Sequence, residues 1–395
     1  MSRKDSILTI GVVCGEHSGD RLGAELIKEI KTNSKIKSMN NYSDIDLYGI
    51  GGPKLEALGL KSEFDFTEIN VMGLVQPLFN FRKLNNLRRS LINLFIEKDI
   101  DIFIGIDSPD FNMGIHKALK NSFNVCNNNI QVVSPSVWGW RQNRIKSIQA
   151  NIDITLCLFN FEYKFYQEVG HRSLHLGHPF SELIKPNKDE VLKKYNLQED
   201  RKYISVIPGS RESEIKYMLP TYIEFIKEHS QKNKDYIYLI PAADKRLLDS
   251  INKLLNKLKL PVVIKQDAMQ EFLSISELSI VTSGTASLES AILECPTIIC
   301  YKTNFINYSI ISRMLRVDNI GLPNILLGDR YFVELLQNNF TKENISKALK
   351  DTLLLKEDSQ NIAKSLKDML KGSGFLKAAE VISNPFIAAE RVLKE

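Results

Sequence analysis

The sequence predicts an α/β protein made of two doubly wound, Rossmann-like domains and a helical C-terminal tail. The chain has 395 residues, more than a single hydrophobic core usually holds, so two domains of similar size are expected. Short apolar runs alternate with longer helical patterns through most of the chain, as in parallel sheets built from βαβ units. From residue 341 onward the pattern is helical, with an interruption at the glycines around Ser373.

Ten short apolar runs are predicted as β-strands, five in each half of the chain. The hinge is placed just after the segment Gly177-His178-Pro179-Phe180, where a polar, lysine-rich stretch begins. The predicted domains are therefore 1–180 and 181–340. The tail, 341–395, packs back on the first domain or on a partner subunit of a homodimer, and both arrangements are open. The predicted strands are 7–13, 45–50, 102–106, 130–134, 154–158, 203–207, 236–240, 262–265, 278–282 and 297–301.

Composition and charge narrow the range of functions. The chain carries 52 basic and 47 acidic side chains, and its net charge of +5 gives no support for nucleic-acid binding. The five cysteines include no CxxC pair, which favours reduced thiols in a cytoplasmic protein. The N-terminal apolar run meets Gly15 and Glu16 too soon for a signal peptide, and no run reaches the roughly eighteen apolar residues of a membrane span.

Ligands of open α/β sheets bind beyond the carboxyl ends of the strands, so the segments after the strands are candidate sites. The first is Gly15-Glu16-His17-Ser18-Gly19-Asp20, before a helix predicted at 21–30. Its glycines allow a tight turn, and amides at the helix start can hold an anionic or hydroxyl-rich ligand. The spacing is not that of a dinucleotide or ATP loop. The alternative is a helix cap formed by Ser18 or Asp20.

The predicted strand 102–106 leads into Asp107-Ser108-Pro109-Asp110. Pro109 suits the first turn of a helix and Ser108 suits its cap. Asp107 is then left without a structural task, which makes it a candidate general base. Asp110 is expected to complement the helix dipole as a first-turn acid.

Both tryptophans of the chain follow the predicted strand 130–134. Trp138 and Trp140 suit the face of a sugar, and Arg141 and Arg144 after them suit an anionic group. The alternative for each tryptophan is buried aromatic packing.

Two glycine-containing segments follow strands in the second half of the chain. Gly209-Ser210-Arg211 comes after strand 203–207, and Ser283-Gly284-Thr285 comes after strand 278–282. Glycine, hydroxyl and arginine groups at a helix start are suited to phosphate. Glu289, a turn further on, has two oxygens that can accept both ribose hydroxyls. Two such segments in one sheet favour a nucleotide-diphosphate site over two coincidental helix caps.

The histidines do not predict a metal site. His171, His175 and His178 are spaced by four and three residues, but they fall around a strand and the hinge rather than on one helical face. No acidic cluster joins them.

Taken together, these segments resemble the lipid-A-disaccharide synthases, a family of inverting glycosyltransferases with the GT-B fold. The resemblance spans residues 10–328, and the tryptophan segment is its most specific part. Two positions depart from the family pattern: His17 stands where a smaller residue is usual, and Gln76 where an acid is common. The segments that carry the resemblance are 15–20, 71–73, 105–112, 134–142, 208–211, 283–289 and 322–324.

The resemblance implies two Rossmann-like domains facing a central cleft. It implies a reaction that joins UDP-2,3-diacylglucosamine to 2,3-diacylglucosamine 1-phosphate (lipid X), giving a β-1,6-linked disaccharide 1-phosphate and UDP without a metal or other cofactor. It places the enzyme in the cytoplasm, peripheral on the inner face of the inner membrane. Glu16, Ser18 and Asp107 would face the acceptor and the reaction centre. The implied donor-site residues are Arg211, Ser283, Gly284, Thr285, Glu289 and Asn324.

The chemistry of such a transfer fits these residue types. Inversion at an α-linked UDP-sugar needs a base for the acceptor hydroxyl proton and positive groups for the departing diphosphate, and it needs no covalent nucleophile. Asp107 is the expected base, with Glu16 second. Arg211 and the amides around Gly284 supply the positive groups.

An acid-free segment at 77–96 is predicted as a helix that meets the membrane surface and admits acyl chains. Both implied substrates are acylated, and a basic helix suits anionic headgroups. The alternative is a core-facing helix with a solvated basic face. The apolar residues at helical spacing are Leu84, Leu87, Leu91, Leu94 and Phe95, with Phe79 and Phe81 near the start, and the basic residues are Arg82, Lys83, Arg88 and Arg89.

Two other classes of function stay open from the sequence. Another UDP-sugar enzyme of the same fold, such as a peptidoglycan glycosyltransferase or a UDP-N-acetylglucosamine 2-epimerase, would carry similar phosphate loops. A non-catalytic nucleotide-sugar or lipid-binding protein would bind the same ligands without turnover.

Overall fold

A computed structural model of the chain describes residues 6–33, 42–62, 64, 66, 69, 77–122, 127–135, 137, 142–303 and 319–383. These residues form two compact units. The first runs up to His178 and resumes at Lys371, and the second runs from Pro179 to Leu370. Within the described ranges, no helix combines the length and apolar character needed to cross a membrane.

The first unit is built on a seven-stranded parallel sheet with the order β3-β2-β1-β4-β5-β6-β7. Its central strand, Ile102–Ile106, is a run of buried apolar residues and glycine, as expected for a parallel sheet covered on both faces. The strands are β1 Ser6–Cys14, β2 Tyr42–Ile50, β3 Leu60–Ser62, β4 Ile102–Ile106, β5 Asn128–Val132, β6 Ile154–Cys157 and β7 Ser173–His175. The helices that follow them are α1 His17–Thr32, α2 Pro53–Glu56, α3 Pro77–Glu97, α4 Pro109–Lys120, a 3-10 turn at Gln142–Arg144, α5 Ile145–Asn151 and α6 Asn160–Glu168.

The second unit holds a six-stranded parallel sheet with the order β10-β9-β8-β11-β12-β13. The strands are β8 Lys202–Ile207, β9 Tyr236–Ala242, β10 Val262–Gln266, β11 Leu278–Thr282, β12 Thr297–Tyr301 and β13 Val333–Leu336. The α-helices are α7 Lys188–Tyr195, α8 Glu212–Lys232, α9 Lys245–Leu255, α10 Met269–Ile275, α11 Thr285–Ile292, α12 Leu322–Leu327, α13 Lys342–Leu354 and α14 Ser359–Leu370, with 3-10 turns at Pro179–Glu182 and Gln337–Asn339.

The last described helix, α15 Gly374–Ile382, belongs to the first unit and packs on α1. Its start is fixed by backbone hydrogen bonds: Ser373 N–H donates to His175 O over 2.8 Å, and Gly374 N–H donates to Leu176 O over 3.0 Å. A Cβ at Gly372 would overlap the backbone of Leu176 and Gly177, so only glycine fits there. The two preceding helices, α13 and α14, lie in the second unit.

The ten strands predicted from the sequence are confirmed, and the α/β class with two parallel sheets is confirmed with them. Three strands were not predicted: β3, β7 and β13. Each has three or four residues and is an edge strand of its sheet. An edge strand has a neighbouring strand on one side only, so fewer of its residues need to be apolar. Such short edge strands leave too little apolar periodicity in the sequence to be recognised.

Helix α3 packs its apolar face inward, contrary to the expectation that this face admits acyl chains. Leu84, Leu87, Leu91 and Phe95 are buried in the core of the first unit, and Leu94 is partly buried against it. The core-facing alternative therefore describes this face correctly. Phe79 and Phe81 lie outside the part of the chain whose side chains are described.

The basic residues of α3 divide into two groups. Arg82, Lys83 and Arg89 are exposed. Arg88 is half-buried, with its guanidinium carbon 5.0 Å from the centre of the Phe111 ring. Burial lowers the pKa of Arg88, and nearby Asp110 partly offsets that effect. Arg88 is thus a packing residue rather than a part of the solvated basic face.

Candidate active site

In each sheet the order in which successive strands are added reverses at one point. This point lies between β1 and β4 in the first unit and between β8 and β11 in the second. Such switch points open a crevice at the carboxyl ends of the strands. The register pairs Cys14 with Ile106, so the segments starting at Gly15 and Asp107 leave the first sheet side by side. In the second sheet, the pairing of Ile207 with Val281 brings the two glycine-containing segments together in the same way.

The two candidate bases of the first unit meet at its switch point. Glu16 and Asp107 follow adjacent strand ends, and both are half-buried. A Cβ at Gly15 would lie 3.3 Å from Ser108 Oγ and would overlap Ile69, so the two segments touch here. The glycine at position 15 thus allows the close approach of the two segments that the strand register places side by side.

Helix α1 begins at His17, four residues before the predicted start. Ser18 and Asp20 are therefore helical residues and not part of a preceding loop. Ser18 is exposed and faces solvent. Asp20 is buried, and its carboxylate accepts the N–H groups of the neighbouring helix start at 2.9 to 3.0 Å, namely those of Gly52, Lys54 and Leu55. Asp20 is thus a cap, but for α2 instead of its own helix.

The backbone turns sharply between β4 and α4. Asp107 and Ser108 have φ angles of 52° and 39°, both in the left-handed region that non-glycine residues rarely adopt. Ser108 occupies the N-cap position and Pro109 begins the helix, as predicted, but the Ser108 side chain makes no capping hydrogen bond with the described residues. Each such residue costs about 1 kcal/mol or more, and backbone strain of this kind concentrates at functional sites.

Asp110 lies on the first turn of α4, as predicted for an acid that complements the helix dipole. It forms an ion pair with Arg144, and its backbone carbonyl accepts a hydrogen bond of 3.3 Å from Arg88 Nη2. Arg144 is therefore engaged within the first unit. Trp138, Trp140 and Arg141, predicted to bind a sugar and an anionic group, lie outside the described residues.

The segment after β8 is held by Glu214. Gly209 has φ 116°, and the Glu214 carboxylate packs where a Cβ would stand. Glu214 Oε2 accepts the Ser210 N–H over 2.8 Å, so this amide is used inside the protein. Arg211, at the N-cap of α8, has 46% of its side-chain surface exposed, and its Nη1 lies 3.7 Å from Glu214 Oε1. The exposed guanidinium is the group of this segment best placed to meet an anion.

The segment after β11 leaves open space at a helix start. Ser283 N–H donates to Cys300 O over 2.8 Å, and Ser283 Oγ donates to Ile320 O over 3.1 Å. Gly284 has φ 152° and is exposed, and no atom of the described residues lies within 4 Å of the position of a Cβ. Thr285 is also exposed and begins α11. Among the described residues, the space beside the Gly284 backbone is therefore open at the start of α11, where an anion such as phosphate can bind.

Two other predicted donor-site residues are engaged with neighbouring side chains. Glu289 is half-buried, and its Oε1 accepts a hydrogen bond of 2.8 Å from Gln270. Asn324 has no exposed surface. Its amide donates to Phe332 O and to Glu334 Oε1 and accepts the Phe332 N–H, at 2.8 to 2.9 Å. Asn324 thus fixes Phe332 and Glu334 from the interior, and its contact with the donor stays a prediction of the resemblance.

Comparison with known proteins places the chain in a family. The family model described as lipid-A-disaccharide synthetase matches residues 10–382. The chain belongs to the lipid-A-disaccharide synthase family. The lipid-A-disaccharide synthase of Acinetobacter baylyi is 35% identical over 86% of both chains. That of Hahella chejuensis is 34% identical over 98% of this chain and 94% of its own. The chain is thus a hexosyltransferase of lipid A biosynthesis.

Solved structures bear on the fold of this lipid-A-disaccharide synthase family member. The MnaA–UDP co-structure of S. aureus has a TM-score of 0.60 at 11% identity and covers 98% of both chains. WaaG, a glycosyltransferase involved in lipopolysaccharide biosynthesis, has a TM-score of 0.51 at 13% identity and covers 96% of this chain and all of that one. At such identities the likeness concerns the fold alone, and with the two parallel sheets it confirms the GT-B class.

The three histidines near the end of the first unit contact side chains of that unit, and His175 stacks on the Tyr163 ring with 6.4 Å between ring centres. His171 lies 2.9 Å from Thr155 Oγ1, and His178 stacks on the Phe159 ring at 5.7 Å. Burial lowers the pKa of His178 to about 4, with Arg21 adding to the effect. Across the described ranges, no three His, Cys, Asp or Glu residues are grouped closely enough to hold a metal ion.

The sequence did not reveal the buried polar residues that lie behind the candidate site. Glu334 is buried and accepts the N–H groups of Ile320 and Gly321 at 3.0 Å, which fixes the segment beside Ser283. Gln131 is buried in β5 and bonds to the carbonyl of Asp107. The available signal was a polar residue between two apolar ones in a strand, as with Gln131 between Ile130 and Val132 and Glu334 between Val333 and Leu335.

Proposed function

We propose that the chain transfers a 2,3-diacylglucosaminyl group from its UDP ester to the 6-hydroxyl of 2,3-diacylglucosamine 1-phosphate (lipid X). The bond between the acceptor oxygen and the sugar C1 forms, the bond between C1 and the diphosphate oxygen breaks, and UDP leaves. Family membership supports this reaction. The observation that carries the mechanism is the pair Glu16 and Asp107, which follow adjacent strand ends at the switch point of the first sheet.

Asp107 is proposed as the general base. A single displacement with inversion needs a base that takes the acceptor proton as the new bond forms, and a carboxylate at a strand end is suited to this task. Glu16 is the second carboxylate at the same end of the sheet, and the exposed Ser18 is proposed to face the acceptor with it. Trp138 and Arg141 are proposed to bind the sugar face and an anionic group of the acceptor.

The second unit is proposed to bind the UDP part of the donor. The exposed Arg211 and the open backbone at Gly284 and Thr285 offer positive groups for the diphosphate as its charge develops. Gly209, Ser210 and Ser283 shape these two segments, and Glu289 is proposed to meet the ribose hydroxyls. Asn324 fixes Phe332 and Glu334 from the interior, and its contact with the donor stays a prediction. No metal is required, because the arginine and the amides stabilise the leaving group.

The exposed basic face of α3 is proposed to hold the enzyme at the inner face of the inner membrane. Arg82, Lys83 and Arg89 are exposed on it, and no acidic residue lies between Val71 and Ile96. Positive residues near an anionic surface attract it over about a Debye length. The apolar face of the helix is used in the core, so this attachment is electrostatic and peripheral.

Replacing Arg211 with Ala is expected to weaken UDP binding by about one to two orders of magnitude. A charge-assisted contact with phosphate contributes roughly 1.5 to 3 kcal/mol, which corresponds to this range. Titration calorimetry with UDP in a buffer without divalent cations measures the effect.

Arg201→Ala is the matched control for Arg211. Arg201 is also exposed, but it stands at the amino end of β8, where its Nη1 donates to Lys234 O over 2.9 Å. Its replacement should leave the affinity for UDP within about twofold of the wild-type value. Unchanged affinity in Arg211→Ala, or binding of UDP that requires added magnesium, would contradict the proposed donor site.

A further inference from the structure

A buried cluster of polar side chains lies directly behind Asp107. His116 and Asn112, on α4, have no exposed surface, and Gln131, on β5, is 1% exposed. None of them reaches solvent, so none is a ligand contact. Polar side chains are expensive to bury unless they make hydrogen bonds that the fold requires.

The cluster donates its hydrogen bonds to the backbone of the strand ends. Gln131 Nε2 lies 3.1 Å from Asp107 O, 3.0 Å from Val132 O and 3.3 Å from Val133 O. Asn112 Nδ2 lies 2.9 Å from Asp107 O. Two amide groups thus converge on the carbonyl of the proposed base, and one of them also holds the end of the neighbouring strand.

The residues held in this way have an unfavourable backbone conformation. Val133 has φ 68° and Asp107 has φ 52°. A positive φ is a genuine outlier for a β-branched residue such as valine, and it persists only when the surrounding structure imposes it. The hydrogen bonds from Gln131 join the two strained residues across the ends of β4 and β5.

His116 fixes the orientation of the Gln131 amide. The Gln131 nitrogen faces three carbonyl oxygens, so its Oε1 must act as the acceptor toward His116 Nε2, which is 3.1 Å away. His116 Nε2 therefore carries the proton. The ring is further held edge-on against Phe103, with 4.7 Å between ring centres. Burial lowers the pKa of His116 to about 4, which keeps the ring neutral at physiological pH.

We propose that His116, Gln131 and Asn112 are positioning residues, which hold the left-handed backbone at Asp107 and Val133 so that the Asp107 carboxylate keeps its orientation for proton transfer. This inference rests on the proposed function of Asp107 as the base. His116 acts through Gln131, and Gln131 and Asn112 act on the Asp107 carbonyl. The substrate touches none of the three.

A double-mutant cycle on kcat tests the inference with Gln131→Met and Asp107→Asn. Methionine keeps the volume of glutamine and removes the amide. Gln131→Met is expected to lower kcat by roughly tenfold to a hundredfold, since a displacement of about 1 Å at a reacting group has effects of this size. KM for the UDP-sugar should stay within about twofold. In the Asp107→Asn background, the same change should cause little further loss, because the group it positions is gone.

The outcomes separate the positioning role from the role of the base. A loss of equal factor in both backgrounds would show that Gln131 matters for general integrity, and it would overturn the inference. If Gln131→Met has the wild-type kcat and Asp107→Asn is impaired, the positioning role is wrong, but the proposed role of Asp107 as the base still holds. Near-normal turnover of Asp107→Asn would instead overturn the proposed function of Asp107.

A matched pair at His116 tests the same inference with smaller changes. His116→Gln retains an N–H donor for Gln131 Oε1, and His116→Phe retains the aromatic contact with Phe103 but has no donor. We expect kcat to fall by roughly tenfold in His116→Phe and to be largely retained in His116→Gln. Urea denaturation of both variants checks that they fold. The same kcat in the two variants would overturn the link from His116 to Asp107.

Discussion

Asp107→Asn is expected to lower turnover by about a hundredfold or more while UDP binding is unchanged. The substitution keeps the size of the side chain and removes its basicity, and a positioned general base contributes factors of this order. The proposed UDP contacts come from residues of the second unit, and Asp107, in the first unit, is not one of them. Steady-state kinetics with both acylated substrates, together with UDP titration, measures the two effects separately.

Asp101→Asn is the matched control, because it makes the same change at the opposite end of the same strand. Asp101 precedes β4, and its Oδ2 accepts the Thr9 N–H over 2.9 Å, a bond that an asparagine oxygen can still accept. The turnover of Asp101→Asn should stay within a few-fold of the wild-type value, the size of effect that a substitution away from the site usually has. If Asp107→Asn turns over at a near-normal rate, the base is Glu16 or a water molecule, and the mechanism proposed for Asp107 is wrong.

Changing Arg82, Lys83 and Arg89 together to Gln is expected to lower the affinity for anionic liposomes by about a hundredfold. Each basic residue near an anionic surface contributes about 1 kcal/mol, and the three are exposed on one helix without an intervening acid. The remaining binding should also lose most of its salt dependence. Sedimentation with vesicles of anionic and of neutral lipid, at low and high salt, measures both effects.

The matched control removes the same charge elsewhere. Lys245, Arg246 and Lys253 are exposed on α9 of the second unit, and their change to Gln lowers the net charge equally. This variant should sediment like wild type if the attraction is local to α3. Equal losses in the two triple variants would indicate a general charge effect, and unaltered sedimentation of the α3 variant would contradict the proposed membrane contact.

The sequence predicts the sheets and the edge at which the site lies, because both follow from local patterns. Apolar runs mark buried parallel strands, and parallel strands place all their carboxyl ends at one edge. Asp107 was chosen as the candidate base because Pro109 suits the helix start that follows it, and its role as the base stays a prediction. Family membership then assigns the hexosyltransferase activity, which no single motif could do.

The features that escaped prediction depend on tertiary contacts. His116 bonds to a residue 15 positions away, and Asn324 bonds to residues 8 and 10 positions away, so neither role has a local signal. The left-handed φ of Val133 is imposed by its surroundings against the preference of the residue. Asp20 resembled a cap of its own helix, but its partners belong to a helix more than thirty residues later.

The most direct test of the proposed reaction is a mass-spectrometric product assay with UDP-2,3-diacylglucosamine and 2,3-diacylglucosamine 1-phosphate. We expect the tetra-acylated disaccharide 1-phosphate and UDP in equal amounts, with neither formed when the acceptor is left out. Conversion of a UDP-sugar in the absence of acceptor, or the absence of any disaccharide from folded protein supplied with both substrates, would contradict the proposed reaction.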